Sequence, residues 1–261
     1  MSLRDHFDLV ILDWAGTMVD FGCEAPVKAL LEAFAAEGVA IETASARRDM
    51  GKSKGDHVRA LLRIPAVASA WSAVHGRSAN TFDVERLMIR LGPLMREHAA
   101  AAATLIPGAR ETIERLRALG SKIASSTGYT REMMEPVLAR AAAQGYTPDH
   151  VVCAGETPAG RPTPLMIYKA CAELGVWPLS RVVKVDDAEV GIAEGKSAGV
   201  FTVGVASGNT VGITFDEWTK LSPHERAAHL EASERVLRAA GADRVIESVA
   251  DLVPALELYS R

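Results

Sequence analysis

The stretch FDLVILDWAGT, Phe7–Thr17, decides the fold. Its first part, Phe7–Leu12, is a short apolar run that stops at Asp13. Such a run, ended by a turn, reads as a strand buried on both faces, as in a parallel sheet. Five more runs of the same kind follow along the chain: KIASS (Lys122–Ser126), DHVVC (Asp149–Cys153), RVVKV (Arg181–Val185), GVFTVGV (Gly199–Val205) and a last one near Arg244–Ile246. Amphipathic stretches precede most of them, at Ala109–Leu119, Arg131–Gln144, Pro164–Leu174 and Ile192–Ser197. Strands alternating with helices predict an α/β fold built on a doubly wound parallel sheet.

The interval between the first two strands breaks the alternation. Roughly Gly22 to Ala101 holds no convincing strand and reads as helical, with segments at Pro26–Glu37, Thr43–Met50, Lys54–Leu62, Pro65–His75 and Thr81–Ala103. We read it as an α-helical cap domain, residues 22–101, inserted into a core made of residues 1–21 and 102–261. Pro107-Gly108 marks the return to the core. A late helix is expected over Ser222–Ala240, opened by Pro223.

Composition sets limits on function. The 261 residues suit one α/β core with a smaller second lobe. Apolar residues make up 48% and charged residues 24%, as in globular proteins. The net charge of −4 provides no general basic field for nucleic acid or anionic lipid. A small anionic substrate would need a local cationic site. Cys23, Cys153 and Cys171 are scattered, without a CxxC pair, which fits a reducing cytoplasm rather than a disulfide framework. No apolar run approaches the roughly 20 residues of a membrane span. The opening Met1–Arg4 reads as too polar for a signal peptide.

Ligands of doubly wound sheets sit at the carboxyl ends of the strands, and four motifs fall there. Asp13-Trp14-Ala15-Gly16-Thr17 places a carboxylate at a strand tip, where it can attack phosphorus, although a capping Asp is an equal reading. Ser126-Thr127-Gly128-Tyr129 offers a hydroxyl and backbone N–H groups to a phosphoryl oxygen, or simply an N-cap. Gly160-Arg161-Pro162 offers one guanidinium, though a lone surface Arg is the commoner case. Asp186-Asp187 suits a hard cation such as Mg²⁺. Each signal is modest alone, but the four in order, each at a strand end, are strong together.

That ordered set resembles the haloacid dehalogenase superfamily, whose fold is a Rossmann-like core with a variable cap. The resemblance implies that Asp13 is the nucleophile and a Mg²⁺ ligand, that Thr127 binds the phosphoryl group, and that Asp187 is the acidic metal ligand. Arg161 stands where the superfamily usually has Lys. One departure is decisive. Phosphatases and mutases of the superfamily usually carry a second Asp two residues after the nucleophile, and that position here is Ala15. An alkyl side chain cannot be a general acid. Either the chain is inactive, or its leaving group needs no proton from this position.

The helical insertion addresses that choice. In Met50-Gly51-Lys52-Ser53-Lys54-Gly55-Asp56-His57-Val58-Arg59, a desolvated Lys can lose its proton and condense with an aldehyde. A bare Lys is more often a solvated helix-end charge. However, this segment, with Asp13–Gly22, Ser126–Met134, Pro158–Pro162 and Val183–Gly191, closely resembles the phosphonoacetaldehyde hydrolase family. The resemblance implies a Schiff-base lysine at Lys54, with Lys52 as the alternative, and an active-site His57 that shuttles protons near the amine. It also implies pocket residues Tyr129, Met50 and Cys23, for which core packing is a nearly even reading. The Ala15 carbonyl would be a Mg²⁺ ligand, with small-molecule phosphonate as substrate. Some relatives have Gly-Asp followed by another Asp four residues later. Here the pair is Asp186-Asp187 and the later position is Gly191, so Asp186 is a candidate for the outer metal shell. A homodimer through cap helices is expected by resemblance, with Ala66–Trp71 as a candidate apolar surface. The competing readings are an ordinary phosphomonoesterase or mutase and a catalytically silent relative.

Overall fold

The computed structural model describes residues 7–259. The Met1–Arg4 stretch lies outside them, as do the first six and last two residues of the expected core. Six parallel strands form one sheet: β1 (Leu9–Leu12), β2 (Lys122–Ser126), β3 (His150–Val152), β4 (Val182–Asp186), β5 (Phe201–Val205) and β6 (Arg244–Ile246). Their order across the sheet is β3-β2-β1-β4-β5-β6. β1 lies between β2 and β4, so the three strand ends that carry Asp13, Ser126 and Asp186 are neighbours. All four β1 residues are buried. That double-sided burial is why β1 reads as an unbroken apolar run.

Helices α1 (Glu24–Ala35), α2 (Thr43–Arg48), α3 (Lys54–Leu62), α4 (Pro65–His75) and α5 (Thr81–Ala102) follow β1 before any other strand. The remaining helices are α6 (Ala109–Ala118), α7 (Arg131–Ala143), α8 (Leu165–Leu174), α9 (Glu189–Ala198), α10 (Phe215–Lys220), α11 (Pro223–Ala239) and α12 (Leu252–Tyr259). Local chemistry sets the helix starts that matter most. The Ser53 hydroxyl accepts the Asp56 N–H and opens α3. Pro65 sits at the start of α4, and Asn80 with Asp83 forms a capping box on α5.

The structure departs from the sequence expectations in several places. Helix α1 begins at Glu24, ahead of Pro26, because the Asp20 carboxylate accepts the N–H groups of Glu24 and Ala25, each at 3.0 Å. β5 starts at Phe201 and not at Gly199, because Gly199, at φ +74°, closes α9. Helix α9 is longer than the expected Ile192–Ser197. Helices α10 and α12 were not anticipated. The candidate surface Ala66–Trp71 is corrected: Val67 and Trp71, four residues apart on α4, are buried, and Trp71 packs edge-on against Phe34. The two large apolar side chains of that stretch serve the interior of the helical insertion, while Ala66 is exposed. No helix among the described residues is long and apolar enough to cross a membrane. Cys23, Cys153 and Cys171 are all unpaired and buried.

Two connections join the helical insertion to the sheet. The outgoing one contains two non-glycine residues in the left-handed region, Asp20 (φ 56°) and Cys23 (φ 53°). Such backbone costs roughly 1–3 kcal/mol per residue and persists only where the surroundings enforce it. The returning one meets it at an isolated antiparallel bridge between Val19 and Leu105.

Candidate active site

A cavity of about 20 Å³ lies between the sheet's carboxyl edge and the helical insertion, with room for about one water. From the sheet side come Asp13, Ala15, Thr127, Gly128, Tyr129, Asp187 and Ala188. From the insertion come Cys23, Pro26, Met50, Gly51 and Lys54. Of the residues singled out in the sequence, His57, Arg161, Asp186 and the alternative lysine Lys52 do not line it.

The core side is a dense array of buried charge. Arg161 reaches Asp13 at 2.8 Å, Glu194 at 3.0 Å and Asp186 at 3.3 Å. Lys184 reaches Asp186 at 2.9 Å and Glu194 at 3.5 Å, and it donates to the Ser126 hydroxyl. Asp187 accepts from the Thr17 hydroxyl at 3.0 Å, the Asn209 N–H at 2.6 Å and the Cys23 thiol at 3.3 Å. The same thiol lies 2.9 Å from the Ala15 carbonyl oxygen. Arg161 therefore anchors the nucleophile candidate from behind the cavity wall.

Four carboxylates, Asp13, Asp186, Asp187 and Glu194, thus face two core cations, Arg161 and Lys184. Burial, followed by repulsion from Asp186, pushes Asp13 up to about 6. Burial and then the charges of Asp13 and Asp186 push Asp187 up to about 8. Asp186 is held below the usual carboxylate range, since Lys184 and Arg161 outweigh its burial. Ligand atoms of Asp13, Asp186 and Asp187 lie within 4.8 Å of one another. The surplus of negative charge, and the all-oxygen donor set completed by the Ala15 carbonyl, fit a hard divalent cation such as Mg²⁺.

The helical insertion contributes one amine. Lys54 is only 2% exposed, while Lys52 is ion-paired with Asp49 and partly open to solvent. Lys54 Nζ lies 3.9 Å from the Met50 sulfur and 5.1 Å from the centre of the Tyr129 ring. Burial lowers its pKa to about 8. His57, one turn along α3, is fully buried behind it. Burial and the nearby Lys54 lower the His57 pKa to about 3, so its ring is neutral at ordinary pH. The Ala46 backbone lies close enough to act on the ring, but neither ring nitrogen makes a well-formed hydrogen bond among the described residues.

The two halves interlock through glycines. A Cβ on Gly128 would lie 2.4 Å from the Lys52 carbonyl oxygen and 2.8 Å from that of Gly51. A Cβ on Gly51 would lie 2.5 Å from Val190. Sequence reading missed Lys184 and Glu194. The available signal was a Lys in the middle of the apolar run RVVKV, which has to find a buried carboxylate. Glu194 carried no comparable mark.

This constellation matches known proteins. A family profile for haloacid dehalogenase-like hydrolase matches residues 7–199. The phosphonoacetaldehyde hydrolase of Paraburkholderia phytofirmans is 45% identical over 250 residues, covering 95% of this chain and 94% of that one. This chain belongs to the phosphonoacetaldehyde hydrolase family of the haloacid dehalogenase-like hydrolases. The phosphonoacetaldehyde hydrolase of Bacillus cereus is 40% identical over 251 residues, covering 96% and 95% of the two chains. Among solved structures, a phosphonoacetaldehyde hydrolase-like protein from Oleispira antarctica superposes with a TM-score of 0.95 at 40% identity, covering 98% and 93%. The chain is a hydrolase of this family, and its six-stranded core is the haloacid dehalogenase fold.

Proposed function

We propose that this enzyme hydrolyses the carbon–phosphorus bond of phosphonoacetaldehyde to acetaldehyde and phosphate. The observation that carries the reading is that Lys54, the one buried amine of the insertion, shares a closed cavity with the Asp13 carboxylate. A phosphatase has no use for a desolvated amine there, and Ala15 cannot protonate a leaving oxygen.

Residues 22–101 act as a cap that opens to admit substrate, since the closed cavity is too small for it. The neutral Lys54 amine adds to the aldehyde and loses water, giving an imine that is protonated in the dry site. His57, kept neutral beside Lys54, places no second positive charge next to the amine. The Asp13 carboxylate then attacks phosphorus. The electron pair of the breaking C–P bond moves into the protonated imine, which becomes an enamine. No acid at position 15 is needed, because the departing carbon is stabilised through nitrogen. Water hydrolyses the aspartyl phosphate to free Asp13. The enamine is reprotonated on carbon and the imine hydrolysed, releasing acetaldehyde and the Lys54 amine.

Thr127 and the Gly128 N–H orient the phosphonyl oxygens, while Arg161 holds Asp13 in place from behind it. Tyr129, Met50 and Cys23 form the pocket walls. Asp13, Asp187 and the Ala15 carbonyl would hold Mg²⁺, which when bound supplies positive charge that lets two anions approach. We further propose a homodimer and a cytoplasmic setting, the latter supported by three buried free thiols. The exposed apolar side chains available to a dimer include Phe82 and Ile89, seven residues apart on cap helix α5. Light scattering of wild type and Ile89→Glu tests that surface.

The deciding experiment follows phosphate and acetaldehyde release with Mg²⁺, using p-nitrophenyl phosphate as the comparison substrate. Stoichiometric acetaldehyde and phosphate are expected from phosphonoacetaldehyde, with little turnover of the ester. Ready ester hydrolysis without C–P cleavage would reverse the assignment.

A further inference from the structure

Arg47 is a buried cation that takes no part in the proposed chemistry. It lies in the last turn of α2 and is only 9% exposed. Its guanidinium donates to the Gly22 carbonyl oxygen, and its Nε has no hydrogen-bond partner among the described residues. Its charge reaches the exposed Glu217 on α10, but that carboxylate accepts from Thr214. A buried cation served by a carbonyl oxygen rather than a carboxylate is unfavourable in itself, so the contacts it makes have to outweigh that cost. Those contacts converge on the junction of insertion and core. Gly22 has the core on its other side: a Cβ on it would lie 2.5 Å from the Ile213 carbonyl oxygen. The Arg47 carbonyl, at the C-terminal end of α2, accepts the Met50 N–H at 3.1 Å and a side-chain N–H of Asn209 at 3.4 Å. Asn209 belongs to the core loop after β5, and its main-chain N–H donates to Oδ2 of Asp187 at 2.6 Å. Cys23, next to Gly22, donates its thiol to the same oxygen at 3.3 Å.

We infer that Arg47 is a positioning residue that clasps the shut cap to the core, its guanidinium fixing the Gly22 turn and its carbonyl held by Asn209. It acts through its neighbours. Asn209 and Cys23 are the two donors to Asp187 Oδ2, and Arg47 ties the cap to one of them and to the turn that precedes the other. Closure of the cap is thereby linked to the setting of a core carboxylate. The competing explanation is that Arg47 merely fills the interior of the insertion. Its loss would then lower the melting temperature without uncovering Lys54, whereas release of a clasp uncovers Lys54 in a protein that is still folded. The inference rests on the reading of residues 22–101 as a cap that opens, and it is independent of which substrate the shut site takes.

The test measures, without substrate, how fast an amine-modifying reagent labels Lys54, read by peptide mass spectrometry. The melting temperature, and kcat and KM for phosphonoacetaldehyde, are measured in parallel. Asn209→Ala removes the side-chain donor and keeps the main-chain N–H on Asp187. Arg47→Gln removes the guanidinium and keeps the carbonyl that Asn209 meets. Asn209→Ala is expected to speed labelling by about 3- to 10-fold, the effect of one neutral hydrogen bond. Arg47→Gln loses a hydrogen bond from a charged group and is expected to speed it by about 10- to 100-fold. In both, kcat should fall more than KM changes, while the melting temperature stays near wild type. The two changes combined should speed labelling by less than the product of the single effects, because both bonds serve one clasp. Wild-type labelling in Asn209→Ala would overturn the clasp, even if Arg47→Gln did not fold. Single effects that multiply in full would overturn it too, as would a lowered melting temperature with Lys54 still protected. A wild type whose Lys54 labels as fast as the exposed lysines would instead sink the shut-cap reading itself.

Discussion

Lys54 Nζ lies 5.1 Å from the centre of the Tyr129 ring, so a cap amine rests on an aromatic face supplied by the core. Lys52, two residues earlier, points elsewhere and pairs with Asp49. Borohydride added with phosphonoacetaldehyde should therefore trap an adduct on Lys54 alone, located by peptide mass spectrometry. Lys54→Arg should abolish C–P cleavage, because a guanidinium forms no stable imine. Lys52→Ala should change turnover only a few-fold, since partly exposed ion pairs contribute about 0–1 kcal/mol. An adduct on Lys52 would reassign the amine.

The rate of that trapping should depend on pH with a midpoint near 8. Burial disfavours the Lys54 ammonium and brings its pKa to about 8 from the ordinary 10.5. Only the neutral amine attacks, so the rate rises with pH through the folded-state value and levels off above it. At pH 7 about one amine in ten is already neutral. The stability effect has a matching sign. Between about 8 and 10.5 the unfolded chain binds more protons at Lys54 than the folded one, so this group's contribution to stability rises with pH across that window. A trapping midpoint near 10.5 would show that the amine is solvated.

Mg²⁺ should raise the melting temperature, and a chelator should reverse the rise. Burial, and after it repulsion from the neighbouring carboxylates, holds Asp13 at about 6 and Asp187 at about 8. Binding only to the folded state stabilises it by about 2.7 kcal/mol at a hundredfold excess over Kd. Asp187→Asn should lose the Mg²⁺-dependent shift in differential scanning calorimetry. A shift that survives this change would place the cation elsewhere.

Gly128→Ala should hold the cap away from the core. The added Cβ would lie 2.4 Å from the Lys52 carbonyl oxygen and 2.8 Å from that of Gly51, and both contacts are backbone atoms that cannot swing aside. Turnover should fall by about 100-fold, the usual effect of an ångström of misplacement. Lys54 should at the same time become reactive towards an amine-modifying reagent. Unchanged activity would mean that closure does not use this contact.

Much of the sheet was readable along the chain, because strands buried on both faces leave short apolar runs. β2 and β6 match their expected bounds residue for residue, and α3 and α4 do so because Ser53 and Pro65 mark their starts. The early start of α1 was not readable. It depends on the Asp20 carboxylate, held in a left-handed backbone that only the surrounding structure enforces. The face of α4 was misjudged for a related reason. Apolar content was visible, but the partner that covers Val67 and Trp71 was not.

By itself the sequence determined the alternation of strands and helices, the helical insertion after the first strand, and the placing of Asp13, Thr127 and Asp187 at strand ends and of Arg161 in the loop after β3, since these follow from local periodicity and turn chemistry. Tertiary structure alone decided which of two nearby lysines is desolvated and which carboxylates gather around Arg161. The physical reason is that burial and charge balance are set by groups distant in the chain. Lys54 is dry because residues near position 129 close over it, and Arg161 is fixed by side chains at 13, 186 and 194.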